Sequence, residues 1–129
     1  MTAKILLVED NEQMRDTLKA LINVNNIEAR EAANGREALS RIAYSTPDLI
    51  LLDLMMPEMN GFELVEHLNS HPEWKEIPIV VISAIDLTNQ DRQKLSGAVR
   101  KFIRKTKINR KQLLDLIFDF VQQEVTVVY

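Results

Sequence analysis

The stretch Asp48-Leu49-Ile50-Leu51-Leu52-Asp53-Leu54-Met55-Met56-Pro57-Glu58-Met59-Asn60-Gly61 decides how the rest of the chain is read. Leu49 to Leu52 are large and apolar without alternation, the pattern of a strand buried on both faces in a parallel sheet covered by helices. Asp53 stands where that strand leaves the core. Pro57 lacks an amide hydrogen and cannot serve in a central strand, and Gly61 is expected to permit a left-handed turn before the next helix. A carboxylate is thereby held at the carboxyl end of a central strand, the edge at which open α/β sheets bind ligands. Taken alone, Asp53 reads more simply as a residue ending a strand on the solvated side.

Upstream, Lys4-Ile5-Leu6-Leu7-Val8 is a short apolar run that stops at Glu9-Asp10-Asn11, a first buried strand followed by an acidic loop. From Glu12, the residues Met14, Leu18, Leu21 and Ile22 fall at helical spacing, with Arg15, Asp16 and Lys19 on the other side, and the helix is expected to end near Asn25-Asn26. Ile27 to Ala32 is a weaker strand placed near an edge by its charges. Asn34 and Glu37 resemble a capping box opening a helix that buries Ala38, Leu39 and Ile42. Pro47 separates that helix from the central strand.

Downstream, Phe62, Val65 and Leu68 stripe a helix, and Asn69 to Pro78 is a polar connection containing Trp74. Ile79 to Ile82 is a second fully apolar strand, ending at Ser83-Ala84. Thr88 and Asp91 form another capping-box candidate for a helix expected to stop near Gly97. Val99 to Arg104, with Phe102, is a fifth strand, and Asn109 caps a last helix through Leu113, Leu114, Ile117, Phe118 and Val121. Strand and helix alternate throughout, which selects an α/β fold with a doubly wound parallel sheet.

The chain of 129 residues suits one domain. Its apolar runs fall far short of the ~20 residues needed to span a bilayer, so no membrane insertion is expected. The start lacks the apolar core and cleavage site of a secretory signal, and a cytoplasmic location is expected. Without cysteine, disulfides and thiolate metal sites are excluded. A net charge of −3 argues against direct contact with nucleic acid.

Glu9 and Asp10 follow the first strand, Asp53 the third, Ser83 the fourth and Lys105 the fifth. In a parallel sheet all those ends face one rim, where the five side chains can converge. Carboxylates so close repel by roughly 4 kcal/mol per pair at an effective dielectric near 20, so a cation belongs beside them. The donors on offer are oxygens, which suit Mg²⁺ or Mn²⁺. His67 and His71 lie four apart but have no evident third ligand and read as surface residues. A divalent ion at Asp53 would align the carboxylate with a phosphoryl donor, Lys105 and Ser83 would hold phosphoryl oxygens, and Asp53 would become an aspartyl phosphate.

At these residues the chain resembles the response-regulator receiver domains of two-component signalling, from Lys4 to about Gln122. The resemblance joins the acidic pair, Asp53 with Pro57 and Gly61 at the family's offsets, Ser83-Ala84, Phe102 and Lys105. It implies a five-stranded, flavodoxin-like (βα)5 sandwich of strand order 2-1-3-4-5, with residues 1–123 as the receiver domain and 124–129 as an apolar tail. By that resemblance Asp53 is the phosphoacceptor, Asp10 and Asp53 are direct Mg²⁺ ligands, Glu9 acts mainly through water, and the Met55 carbonyl completes the protein ligands. Ser83 and Phe102 would be the switch pair. The phosphoryl group would come from a histidine kinase or a histidine phosphotransfer protein, and the output would pass to a downstream protein through the face of the fourth helix, fifth strand and fifth helix. Such a domain is no turnover enzyme; its chemistry is its own phosphorylation and dephosphorylation. Met55 and Ile85 flank the site and are expected to influence the lifetime of the phosphate.

One departure is Thr106, where receivers usually carry proline after the lysine. A cis bond before a non-proline residue costs roughly 2.5–4 kcal/mol, which favours a trans Lys105–Thr106 bond and a shifted loop. That departure, with Asp86-Leu87-Thr88 and Leu95-Ser96-Gly97, resembles the carboxyl-terminal receivers of hybrid histidine kinases. A flavodoxin-type or dinucleotide module would approach phosphate with glycines or hydroxyls, whereas this first loop is acidic. A dehalogenase-type phosphatase needs a second acid where Met55 stands. The remaining alternative is a receiver-like interaction module that works without phosphorylation. The last helix holds more apolar residues than one buried stripe takes, so it is expected to meet the tail, solvent, a second copy in a homodimer, or a kinase.

Overall fold

The computed structural model describes residues 2–56, 59–84, 86–95 and 99–125, the last five as backbone only. Its strands are β1 (Ala3–Val8), β2 (Ile27–Ala32), β3 (Leu49–Asp53), β4 (Ile79–Ser83) and β5 (Val99–Arg104). Between and after them run α1 (Glu12–Leu21), α2 (Gly35–Tyr44), α3 (Gly61–Asn69), α4 (Asn89–Lys94) and α5 (Arg110–Val125). All paired strands are parallel, in the order β2-β1-β3-β4-β5, so the flavodoxin-like architecture stands as expected.

The central strands read as unbroken apolar runs because both faces are covered. Leu6, Val8, Ile50, Leu52, Ile79 and Val81 pack on one face with Ala38, Ile42, Leu64, Val65 and Leu68 of α2 and α3. Ile5, Leu7, Leu49, Leu51, Val80 and Ile82 pack on the other with Leu18 of α1 and Leu113 and Ile117 of α5. Burying one such side chain contributes about 1.5–3 kcal/mol, so the two layers hold β1, β3 and β4 rigidly.

Helix starts are set by local chemistry. Asn34 Oδ1 accepts the Glu37 amide at 2.8 Å, while reciprocal capping boxes open α3 through Asn60 and Glu63 and α4 through Thr88 and Asp91. Asn109 Oδ1 accepts the Gln112 amide at 2.8 Å at the head of α5.

Three expectations are corrected. Helix α1 stops at Leu21, not near Asn25: the Ile22 amide closes the helix on Leu18, and Asn26 takes the left-handed φ of 76° that turns the chain into β2. Gly61 does not adopt a left-handed φ; it opens α3, and an added Cβ would lie 2.6 Å from Leu54 Cα and 2.9 Å from Asp53 O. Its role is therefore close backbone approach. Val125, which with Thr126 to Tyr129 reads as strand-prone in the sequence, ends α5. The expected roles of Pro57, Ile85, Gly97 and residues 126–129 lie outside the described residues.

Candidate functional site

Register brings the polar strand ends together. Val8 pairs with Leu52, Asp53 with Ile82, and Ser83 with Arg104, so Glu9, Asp53, Ser83 and Lys105 leave the sheet on one rim. One carboxylate oxygen each from Glu9, Asp10 and Asp53 lies within 4.8 Å of the others, the one such acidic or histidine cluster among the described residues. Asp53 is not on the solvated side, as its position at a strand end suggested. It is 4% exposed and Glu9 1%, whereas Asp10 is exposed.

Lys105 supplies the positive charge. Its Nζ lies 2.6 Å from Glu9 Oε1 and 3.5 Å from Asp53 Oδ2. The Glu9 contact is a close ion pair, so this buried oxygen has its counter-charge in Lys105. Burial pushes the Glu9 carboxyl above its ordinary value of 4.5, the neighbouring Asp53 carboxylate pushes the same way, and Lys105 only partly offsets them. Burial acts to lower the Lys105 ammonium, but its contact with Glu9 and the charges of Asp53 and Glu9 outweigh that and raise it.

The other Asp53 oxygen, Oδ1, accepts the Met55 amide at 3.2 Å, which orients the carboxylate. The Met55 side chain is 62% exposed, and its contact with Asp53 is made by the backbone amide. Ser83 is 5% exposed. Phe102, half-buried, borders with Ser83 a cavity of about 50 Å³, and the Arg92 guanidinium lies 4.6 Å from the centre of its ring. Lys105–Lys107 forms a 3₁₀ turn, and no cis peptide occurs among the described residues, so Lys105–Thr106 is trans.

The acids and the lysine named from the sequence are thus brought together, and Ser83 leaves the sheet on the same rim. His67 and His71 are not: His71 lies beyond α3, its Nδ1 2.8 Å from the His67 carbonyl oxygen and its ring 4.5 Å from that of Trp74. Three carboxylate oxygens gathered within 4.8 Å of one another form a hard-oxygen donor set that fits a divalent cation. Sequence reasoning missed Arg15, which it placed on the solvent side of α1. The half-buried guanidinium reaches back under the acidic loop, and its one signal was its position a turn after Glu12.

Comparison with known proteins places this geometry. The family model for the response regulator receiver domain matches residues 5–118. The response regulator PleD of Caulobacter vibrioides is 37% identical over 105 residues, 81% of this chain, and the chain spans 23% of that relative's length. The polar-differentiation response regulator DivK of Brucella ovis is 30% identical over 105 residues, covering 81% of this chain and 85% of the relative. The signal receiver domain of a signal transduction histidine kinase from Syntrophus aciditrophicus superposes with a TM-score of 0.83 at 28% identity, over 95% of this chain and 92% of that one. With such matches over this topology and this rim, the chain belongs to the response regulator receiver domains of two-component signalling.

Proposed function

We propose that Asp53 accepts a phosphoryl group from a phosphohistidine of a histidine kinase or histidine phosphotransfer protein. The observation that carries this reading is the Asp53 carboxylate itself, held through Oδ1 by the Met55 amide at 3.2 Å while Oδ2 lies 3.5 Å from Lys105 Nζ. A bond forms from an Asp53 oxygen to phosphorus as the bond from phosphorus to the donor nitrogen breaks, and the imidazole leaves with that electron pair. Glu9, Asp10, Asp53 and the Met55 carbonyl would hold Mg²⁺ or Mn²⁺, which supplies charge neutralisation between carboxylate and phosphoryl oxygens. Lys105 exchanges its carboxylate partners for a phosphoryl oxygen, and Ser83 donates its hydroxyl to another. The cavity beside Ser83 gives the Phe102 ring room to follow, which alters the surface formed by α4, β5 and α5.

Residues 1–123 act as the receiver in the cytoplasm, and the surface of α5 with residues 124–129 contacts a kinase, a downstream protein or a second copy. The relation to a histidine-kinase receiver from Syntrophus aciditrophicus is in keeping with a hybrid-kinase origin. Incubation with Mg²⁺ and a small-molecule phosphoryl donor, followed by intact mass, should show one added phosphoryl group that Asp53→Asn abolishes. An unchanged wild-type mass would favour the interaction module that works without phosphorylation, to which the atypical Lys105–Thr106 turn also points.

A further inference from the structure

Glu9 and Asp10 are neighbours in sequence, and successive side chains of an extended strand point to opposite faces. Both nevertheless bring a carboxylate oxygen within 4.8 Å of Asp53. The backbone must therefore turn at this pair, and the carbonyls of that turn need partners. Arg15 provides them: its Nη1 donates to Glu9 O at 3.0 Å and to Asp10 O at 3.5 Å.

The guanidinium is itself aimed from a third element. Its Nε donates to Glu31 Oε1 at 3.2 Å, and Glu31 Oε2 is held at 3.1 Å by Lys19. Glu31 lies in β2 opposite Leu7 of β1, one turn of the ladder before the acidic loop. The Arg15 side chain is 18% exposed, against 34% for Glu31 and 43% for Lys19, so the relay is shielded at its inner end, where Arg15 meets the loop. Glu9 has further restraints, since its amide donates to Ala32 O at 3.0 Å and its Oε2 accepts the Asn11 amide at 3.4 Å. Asp10 is exposed, and its carbonyl is held by Arg15.

We infer that Arg15, aimed by Glu31, is a positioning residue that sets the geometry of the Glu9–Asp10 turn and thereby the site's affinity for a divalent cation. This rests on the reading of the acidic rim as a metal site. Groups that orient metal ligands without touching the metal typically account for 10–100-fold in affinity. The planar fork of arginine matters here, because one nitrogen must serve Glu31 while another serves the loop. Lysine carries the charge but has no such fork.

The test is a calorimetric Mg²⁺ titration of the full chain as wild type, Arg15→Lys, Arg15→Ala and Glu31→Gln, with thermal melts of each metal-free protein. Positioning predicts Mg²⁺ binding weakened about tenfold or more in both Arg15 variants, and by a smaller factor in Glu31→Gln. Were Arg15 acting through charge alone, Arg15→Ala would tighten Mg²⁺ binding and Arg15→Lys would leave it unchanged, which overturns the inference. Were it merely structural, the melts would fall while the dissociation constants stayed put, which also overturns it. Arg15→Lys keeps the test open should Arg15→Ala not fold. Absence of Mg²⁺ binding by the wild type would instead remove the metal reading on which the inference stands.

Discussion

Gly35→Ala tests how the loop after β3 is held in place. The Gly35 amide donates to the Met59 carbonyl at 3.0 Å, so the start of α2 is docked on the segment that follows Asp53. A Cβ at residue 35 would lie 2.6 Å from both Met59 O and Met59 Cγ. Ordinary contact begins near 3.4 Å, so Met59 would have to retreat by about 0.8 Å. Overpacking of this kind costs about 1–3 kcal/mol. Loss of the hydrogen bond adds about 1 kcal/mol. For a domain of this size, a total of roughly 2–4 kcal/mol lowers the melting temperature by roughly 6–15 °C. Urea and thermal unfolding followed by circular dichroism measure it, and the rate of labelling by a small-molecule phosphoryl donor should fall as well, because Met55 lies on the displaced loop. Met59→Ala added to Gly35→Ala should not restore stability, since the carbonyl oxygen remains. A single variant melting within about 2 °C of wild type would refute the docking argument.

Asp53→Asn should abolish phosphorylation yet leave the fold intact, because asparagine keeps the size and still accepts the Met55 amide; retained labelling elsewhere in the variant would overturn the assignment. Asp10→Asn should weaken Mg²⁺ binding more than Glu9→Gln, and equal losses in a titration would count against a direct role for Asp10. Glu31→Gln reports on pH: burial pushes the Glu31 carboxyl up, but Lys19 and Arg15 outweigh it and hold it below the ordinary 4.5. A depressed carboxyl stabilises the fold at pH above its unfolded value and loses that contribution as pH falls through its folded value. The wild type should therefore exceed Glu31→Gln at neutral pH by less than about 1 kcal/mol, a gap that closes in acid below pH 4.5. A gap that widened on acidification would contradict the ion pairs. Removing residues 124–129 should change mass by light scattering or kinase binding, with or without phosphorylation; a monomer in all four states with unchanged binding would make the tail a plain cover.

The architecture was legible because two-sided burial leaves a mark that needs no tertiary knowledge: Leu49–Leu52 and Ile79–Ile82 carry no polar alternation. The rim was legible for a related reason, since parallel strands end on one side and any polar residue after a strand must appear there. What was hidden depends on approach between segments. Gly61 looked like a turn residue, but only the position of Leu54 and Asp53 shows that the requirement is for space. Arg15 has the spacing of a solvent-facing residue, and its inward reach depends on Glu31 in a strand that pairs with β1. Asp53 was placed toward water because a strand end alone does not tell how deeply its last residue is buried.

The site draws Glu9 from the first strand's end and Lys105 from the last's, so most of the polypeptide separates an acid from its cation. A chain still being synthesised holds the acids long before it holds the lysine. Until β5 docks, Glu9 and Asp53 have repulsion and no counter-charge from Lys105, which discourages their burial and keeps the rim open. The charge balance of the acidic rim is thus tied to the docking of the last strand of the sheet.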